Sequence, residues 1–121
     1  MAKSPKITKI EWGKTRIDGH VVGKDFILYP GGAVEWDWNE FGTNHQAGIQ
    51  AGEIKYLLKK ECDVIVLSKG FYGRLNISGD AIDVLKKRNI EFYILKTENA
   101  VKKYNELAKT KAVGALIHST C

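Results

Sequence analysis

Val64-Ile65-Val66-Leu67 decides the fold, because a short unbroken apolar run is the pattern of a strand buried on both faces. The strand is read over Cys62 to Ser68. Downstream, Ser78 is placed to cap a helix that runs to Arg88, with Ile77 and Ile82 spaced as a hydrophobic staple and Asp80 favouring the helix dipole. Ile90 to Leu95 is the next strand. Thr97 then caps a helix whose Ala100, Val101, Tyr104, Leu107 and Ala108 form one apolar stripe, and Ala112 to Ile117 is a further strand. Upstream, Ile54, Leu57 and Leu58 fall at helical spacing in a helix over Ala51 to Lys60, preceded by a loop from Phe41 to Gln50. Strands and helices alternating in this way imply right-handed crossovers and a largely parallel sheet covered by helices. The direction of the last strand is left open.

The first third of the chain reads differently. Between Ile7 and Trp12 a strand places Thr8, Ile10 and Trp12 on one face and Ile7, Lys9 and Glu11 on the other. Thr15 to Ile17 is a short strand ending in a turn at Asp18-Gly19. Asp25 to Tyr29 ends at Pro30-Gly31-Gly32, the signature of a type II turn, and Ala33 to Trp38 returns as a strand half-buried on its tryptophan side. The expected class is α/β: a central mixed, largely parallel sheet with helices and an additional N-terminal β-meander layer, three layers in a single domain over residues 1–121.

At 121 residues the chain can bury a core without disulfides or structural metals, and 44% hydrophobic with 27% charged residues argues against disorder or a fibrous repeat. Met1-Ala2-Lys3-Ser4-Pro5-Lys6 lacks the apolar segment of an export signal, and no run approaches the length of a membrane span. Cys62 and Cys121 are far apart without metal-ligand spacing, so free thiols in the cytoplasm are expected. A net charge of +5 comes with lysines at Lys59-Lys60, Lys86-Lys87 and Lys102-Lys103, on solvent faces and helix ends, where cations complement the helix dipole. No recognised nucleic-acid motif accompanies that charge.

One ordered set of residues carries a family resemblance. Trp12-Gly13, Tyr29-Pro30-Gly31-Gly32, Trp36-Asp37-Trp38, Gly42-Thr43-x-His45, Thr97-Glu98-x-Ala100-Val101-x-x-Tyr104-Asn105 and His118-Ser119-Thr120-Cys121 together resemble the adipogenesis-associated Mth-domain-containing family. That domain is also found in a mitochondrial complex I assembly factor. The resemblance covers nearly the whole chain. It implies a central mixed sheet with helices on one side and a β layer with a helix on the other. It also implies roles in differentiation and in the assembly of other proteins, without an established biochemical activity.

Two places are candidates for a site. In a parallel sheet, ligands sit beyond the carboxyl ends of the strands. If the last three strands are parallel, those ends gather Lys69, Gly70, Gly73, Arg74, Lys96, Thr97 and His118 near two helix N-termini, a combination that favours an anion. The second candidate is a pocket formed by Trp36, Asp37, Trp38 and His45, with Glu40 nearby. There Asp37 and His45 could serve as an acid/base pair or as metal ligands, against the simpler reading that Asp37 caps the following loop. No completing ligand can be named, so neither metal nor cofactor is expected. Ser119 and Cys121 follow His118, yet adjacent residues on a strand face opposite ways, so His118 is not expected to activate Ser119. No complete catalytic set assembles. The expectation is a non-catalytic binding or assembly module for a protein partner or a small anion; the alternative is a small enzyme acting on an anionic substrate at the strand ends, and nucleic-acid binding ranks third.

Overall fold

Every residue of the strand Val64–Ser68 is buried, as its unbroken apolar run requires. The computed structural model describes residues 3–20 and 22–121. Met1 and Ala2, the start of the stretch read as lacking an export segment, lie outside them. In chain order the elements are β1 (Ile7–Glu11), β2 (Lys14–Ile17), β3 (Phe26–Tyr29), β4 (Gly32–Glu35), α1 (Trp38–Phe41), α2 (Ala51–Lys59), β5 (Val64–Ser68), α3 (Gly79–Lys87), β6 (Glu91–Leu95), α4 (Thr97–Ala108) and β7 (Val113–Ile117). The main sheet has the order β4-β3-β7-β5-β6, and β1 with β2 forms a separate antiparallel pair. No helix among the described residues is long and apolar enough to cross a membrane.

The direction of β7 is settled. It runs parallel to β5 and antiparallel to β3, so β5, β6 and β7 all end at the same edge. Alternation along these strands then divides the core in two. Val64 and Val66 of β5 join Val113, Ala115 and Ile117 of β7 beneath α4 and the β1–β2 pair. On the opposite face Ile65, Leu67 and Leu116 pack with Leu57 of α2 and Leu85 of α3. Each fully buried aliphatic side chain of this kind contributes roughly 1.5–3 kcal/mol. The fold class expected from the sequence is thus observed: a mixed sheet, with helices on one face and a β layer with a helix on the other.

Local chemistry explains the departures from the expected details. The four N-terminal strands are shared between two sheets: β3 and β4 enter the central one because β3 pairs with β7. In β1 the register slips between Ile7 and Lys9, so that Ile7 opposes Ile17 and Ile10 opposes Thr15. The extra residue turns Ile7 and Ile10 to the same side, Ile7 enters the core and Trp12 is left 55% exposed. The strand read over Ala33 to Trp38 stops at Glu35, because the Asp37 carboxylate accepts from Asn39 N at 2.9 Å and starts α1 at Trp38. Lys96, not Thr97, occupies the N-cap of α4. The Thr97 hydroxyl is taken by the sheet end, donating to His118 O at 2.6 Å with Ser68 Oγ 2.7 Å away.

The β1–β2 pair is tied down from α4. The Asn105 side-chain amide accepts from Ile7 N and donates to Ile7 O, both at 2.9 Å, and the Tyr104 hydroxyl donates to Pro5 O at 2.6 Å. Beyond β5 the loop 69–74 clasps the last residues: Phe71 N donates to Thr120 O at 3.0 Å and Arg74 N to Cys121 O at 3.2 Å. Gly70 makes that approach possible. Its φ is +97°, and a Cβ there would stand 2.4 Å from Thr120 O. Gly70→Ala is expected to cost about 1–3 kcal/mol of stability, measured by urea unfolding. Unchanged stability would mean that residues 120–121 are not held by this loop.

Candidate functional site

The site grows out of strand register. Phe26 pairs with Ile117 on one side and with Glu35 on the other, so the next row across the sheet is Trp36, Asp25 and His118. Asp25 is 9% exposed and His118 only 2%. Oδ2 of Asp25 lies 2.9 Å from His118 Nδ1, while Oδ1 accepts from Ser119 N at 2.8 Å and from Ser119 Oγ at 3.2 Å. The backbone carbonyl of Asp25 takes Trp36 N at 3.0 Å. With Nδ1 donating to the carboxylate, Nε2 is the imidazole nitrogen left over. Its one contact is a long one, 3.4 Å to Thr120 Oγ1.

Around that row lies a pocket of about 430 Å³, lined by Lys24, Asp25, Glu35, Trp36, Asp37, Trp38, His45, His118, Thr120 and Cys121. Trp38 forms one wall, its ring 4.7 Å from that of His118 and 5.0 Å from that of His45. Trp38 Nε1 is the one buried side-chain polar atom among the described residues that has no hydrogen-bond partner. Such an orphaned donor costs about 1–3 kcal/mol unless something bonds it. The other wall, Trp36, is anchored from behind. Its Nε1 donates to the Glu53 carboxylate, which also accepts from Thr43 Oγ1 and, at 2.8 Å, from Gln50 N.

Glu53 is fully buried, and desolvation pushes its carboxyl above the usual carboxylate range despite the three donors. Cys62 is also buried; desolvation between α2 and β7 pushes its thiol up to about 12. Cys121 is half-buried in the pocket lining.

The two candidate sites read from the sequence are thereby rearranged. The structure brings Trp36, Asp37, Trp38 and His45 together and adds His118 to them, taking it from the strand-end group. Lys69 faces a different depression, beside Ser78 and Gly79 at the start of α3. Gly70 packs against residues 120–121, and Gly73 lies under the Lys96 side chain. Thr97 is buried and bonded to the sheet end, while Arg74 and Lys96 are exposed. The seven residues grouped for an anion do not converge on one pocket. Asp25 and the part played by Cys121 escaped the sequence reading. The only signal for Asp25 was its place at the start of the run read as Asp25 to Tyr29, which acquires meaning once that strand is known to pair with β7.

Similarity to known proteins agrees with the fold. A family model described as a protein of unknown function, DUF498/DUF598, matches residues 7–118. A conserved hypothetical protein from Pyrococcus horikoshii OT3 is 27% identical, with 96% of this chain and 99% of that one covered and a TM-score of 0.81. An outer membrane protein from Bartonella henselae is 20% identical over 99% of this chain and 98% of its own, with a TM-score of 0.77. A Bordetella pertussis protein described as a Mth938-like domain is 14% identical over 95% of this chain and 85% of its own, at a TM-score of 0.62. The last two, at such identities, speak for the fold alone.

Two measurements check the site. Because the folded state holds the Glu53 proton more tightly than the unfolded chain does, this residue favours folding most at low pH, and that contribution is lost as pH rises through its elevated pKa. Glu53→Gln is therefore expected to gain stability relative to the wild type as pH rises above the ordinary carboxylate range, followed by urea unfolding. A relative loss as pH rises would contradict the raised carboxyl. For the thiols, a disulfide reagent should modify Cys121 alone in the native protein and reach Cys62 only on unfolding, as peptide mapping would reveal.

Proposed function

We propose, for a chain that belongs to the DUF498/DUF598 family of Mth938-like domains, that it is a binding domain for a small planar molecule seated in the pocket that Trp36, Trp38 and His118 line. The observation that carries the reading is Trp38 Nε1, a buried donor without a partner on a residue that lines the pocket. Native interiors pair such groups, and an acceptor on a ligand would pair this one where a shift of the Trp38 ring turns its N–H toward the pocket. The aromatic lining suits the edge or face of a ring, and His118 Nε2 supplies a second polar contact. Asp25, Glu35 and Asp37 against the single Lys24 make the lining acidic, which disfavours a small anion here. Free thiols fit a reducing compartment such as the cytoplasm.

The buried Asp25–His118 pair favours a second reading, a small enzyme with His118 as general base. A carboxylate that orients an imidazole leaves Nε2 ready to take a proton from a substrate. The pair alone is not a complete catalytic set, because a group that stabilises developing charge is also needed.

The binding reading is tested by titrating heteroaromatic fragments that carry a ring acceptor, such as pyridines and nucleobases, while following the indole N–H signals by NMR. The Trp38 indole and the His118 ring signals should shift together, and Trp38→Phe should weaken binding roughly tenfold through the lost hydrogen bond. Fragments that move only the exposed Trp12, or bind Trp38→Phe equally well, would refute it. Incubating bound fragments with the protein and looking for a product separates the binding role from the catalytic one.

A further inference from the structure

We propose that His45, His118 and Cys121 form a binding site for Zn²⁺. The inference goes beyond the small-molecule reading and stands without it, and because both call on His118 Nε2, an ion there takes the place of the ring's contact to that nitrogen. These residues come from three separate pieces of chain, the loop after α1, the end of β7 and the segment clasped by loop 69–74. One imidazole nitrogen from each histidine and the Cys121 Sγ all lie within 4.8 Å of one another. Around a tetrahedral zinc ion, with Zn–N about 2.0–2.1 Å and Zn–S about 2.3 Å, two nitrogens and one sulfur stand roughly 3.3–3.6 Å apart. Closing the set takes movements on the order of 1 Å, given those distances. His118 is buried and fixed by Asp25, whereas His45 is exposed and Cys121 half-buried, so the last two supply the adjustment.

The surroundings fit a cation of this kind. The Asp25 carboxylate bonded to His118 Nδ1 is the arrangement that orients a metal-binding imidazole and raises its basicity, leaving Nε2 to bind the ion. The long contact of Nε2 to Thr120 Oγ1 is easily given up. Cys121 is held in place through its backbone, with Cys121 O accepting from Arg74 N and Thr120 O from Phe71 N. Asp25, Glu35 and Asp37 offset the charge of an incoming cation against Lys24. Two imidazoles and a thiolate select zinc over calcium or magnesium, which prefer oxygen. Three protein ligands leave one tetrahedral position for water or a small ligand.

The test uses the metal alone. Reduced, metal-free protein is titrated with Co²⁺, whose visible bands report tetrahedral geometry and whose near-ultraviolet band reports a sulfur ligand, and the cobalt is then displaced with Zn²⁺. One equivalent should bind with both signatures and be displaced by one equivalent of Zn²⁺. Cys121→Ser should abolish the sulfur band, and His45→Ala, at an exposed position where folding is not at stake, should remove tight binding. Asp25→Asn should weaken the metal about 10–100-fold, with circular dichroism confirming its fold. No stoichiometric binding, a sulfur band that survives Cys121→Ser, or unaltered affinity in His45→Ala would overturn the site. Fragment binding at Trp38 with no cobalt signal would sink the zinc site and leave the small-molecule reading in place. Cobalt binding with no fragment shift would do the reverse.

Discussion

A carboxylate placed nine-tenths out of water between two strands has to be satisfied by the chain itself, and Asp25 meets that demand with both oxygens. One takes Ser119 through its backbone N–H and its hydroxyl, and the other pairs with His118. Burying a charge is expensive unless it is paired and hydrogen-bonded, so the partners have to arrive together. They arrive together in only one register. A slip of one residue between β3 and β7 would turn Asp25 and His118 to opposite faces and move the alternating core residues of both strands with them. The polar row at the sheet end thus acts as a lock on the apolar pairing beneath it, where Ile27 opposes Leu116 and Leu28 opposes Ala115.

The same row explains why residues 118–121 are ordered past the end of β7. Asp25 holds His118 and Ser119, Gly13 at the tip of the β1–β2 hairpin donates to Ser119 O at 2.7 Å, and loop 69–74 takes Thr120 and Cys121. Trp12 lies against Phe71 and Tyr72, with ring centroids 5.8 and 5.5 Å apart, so the hairpin and the loop that hold this segment also touch each other. A loop whose glycines and arginine suggested ligand binding therefore has a prior structural task. Gly70 needs its positive φ in order to meet another stretch of backbone, and Gly73 carries the aliphatic part of Lys96 across it.

What could be read in the sequence was whatever depended on near neighbours. Val64 to Leu67, the Ser78 cap, the Pro30-Gly31 turn and the Ala100–Leu107 stripe each rest on spacing within a dozen residues, and each is where the sequence placed it. The misplacements came where a distant partner overruled a local preference. Thr97 has the chemistry of a cap, but the carbonyl of His118, 21 residues away, takes its hydroxyl. Ile7 sits on the expected polar side of an ideal strand until a bulge turns it inward. Half of the site was legible, since Trp36, Asp37, Trp38 and His45 are close in sequence, and the other half was not. Asp25 and His118 are separated by 93 positions, and no local pattern marks two residues as neighbours across an antiparallel pair formed at that distance.

Net charge was the weakest guide to chemistry. The chain carries +5, which points toward anions, while the pocket beside Asp25 and His118 is lined by three carboxylates and one lysine. The two facts are compatible because exposed charges are screened beyond about 8 Å at physiological ionic strength, so lysines on distant helix ends contribute little inside the pocket. In the proposed reading, recognition there would be decided by groups that the occupant meets. These are a buried indole N–H without a partner, an imidazole whose free nitrogen is fixed by Asp25, and a half-buried thiol. All three act over a short distance, by donating a hydrogen bond or an electron pair, and this is the chemistry on which the proposed ring acceptor and zinc ion both depend.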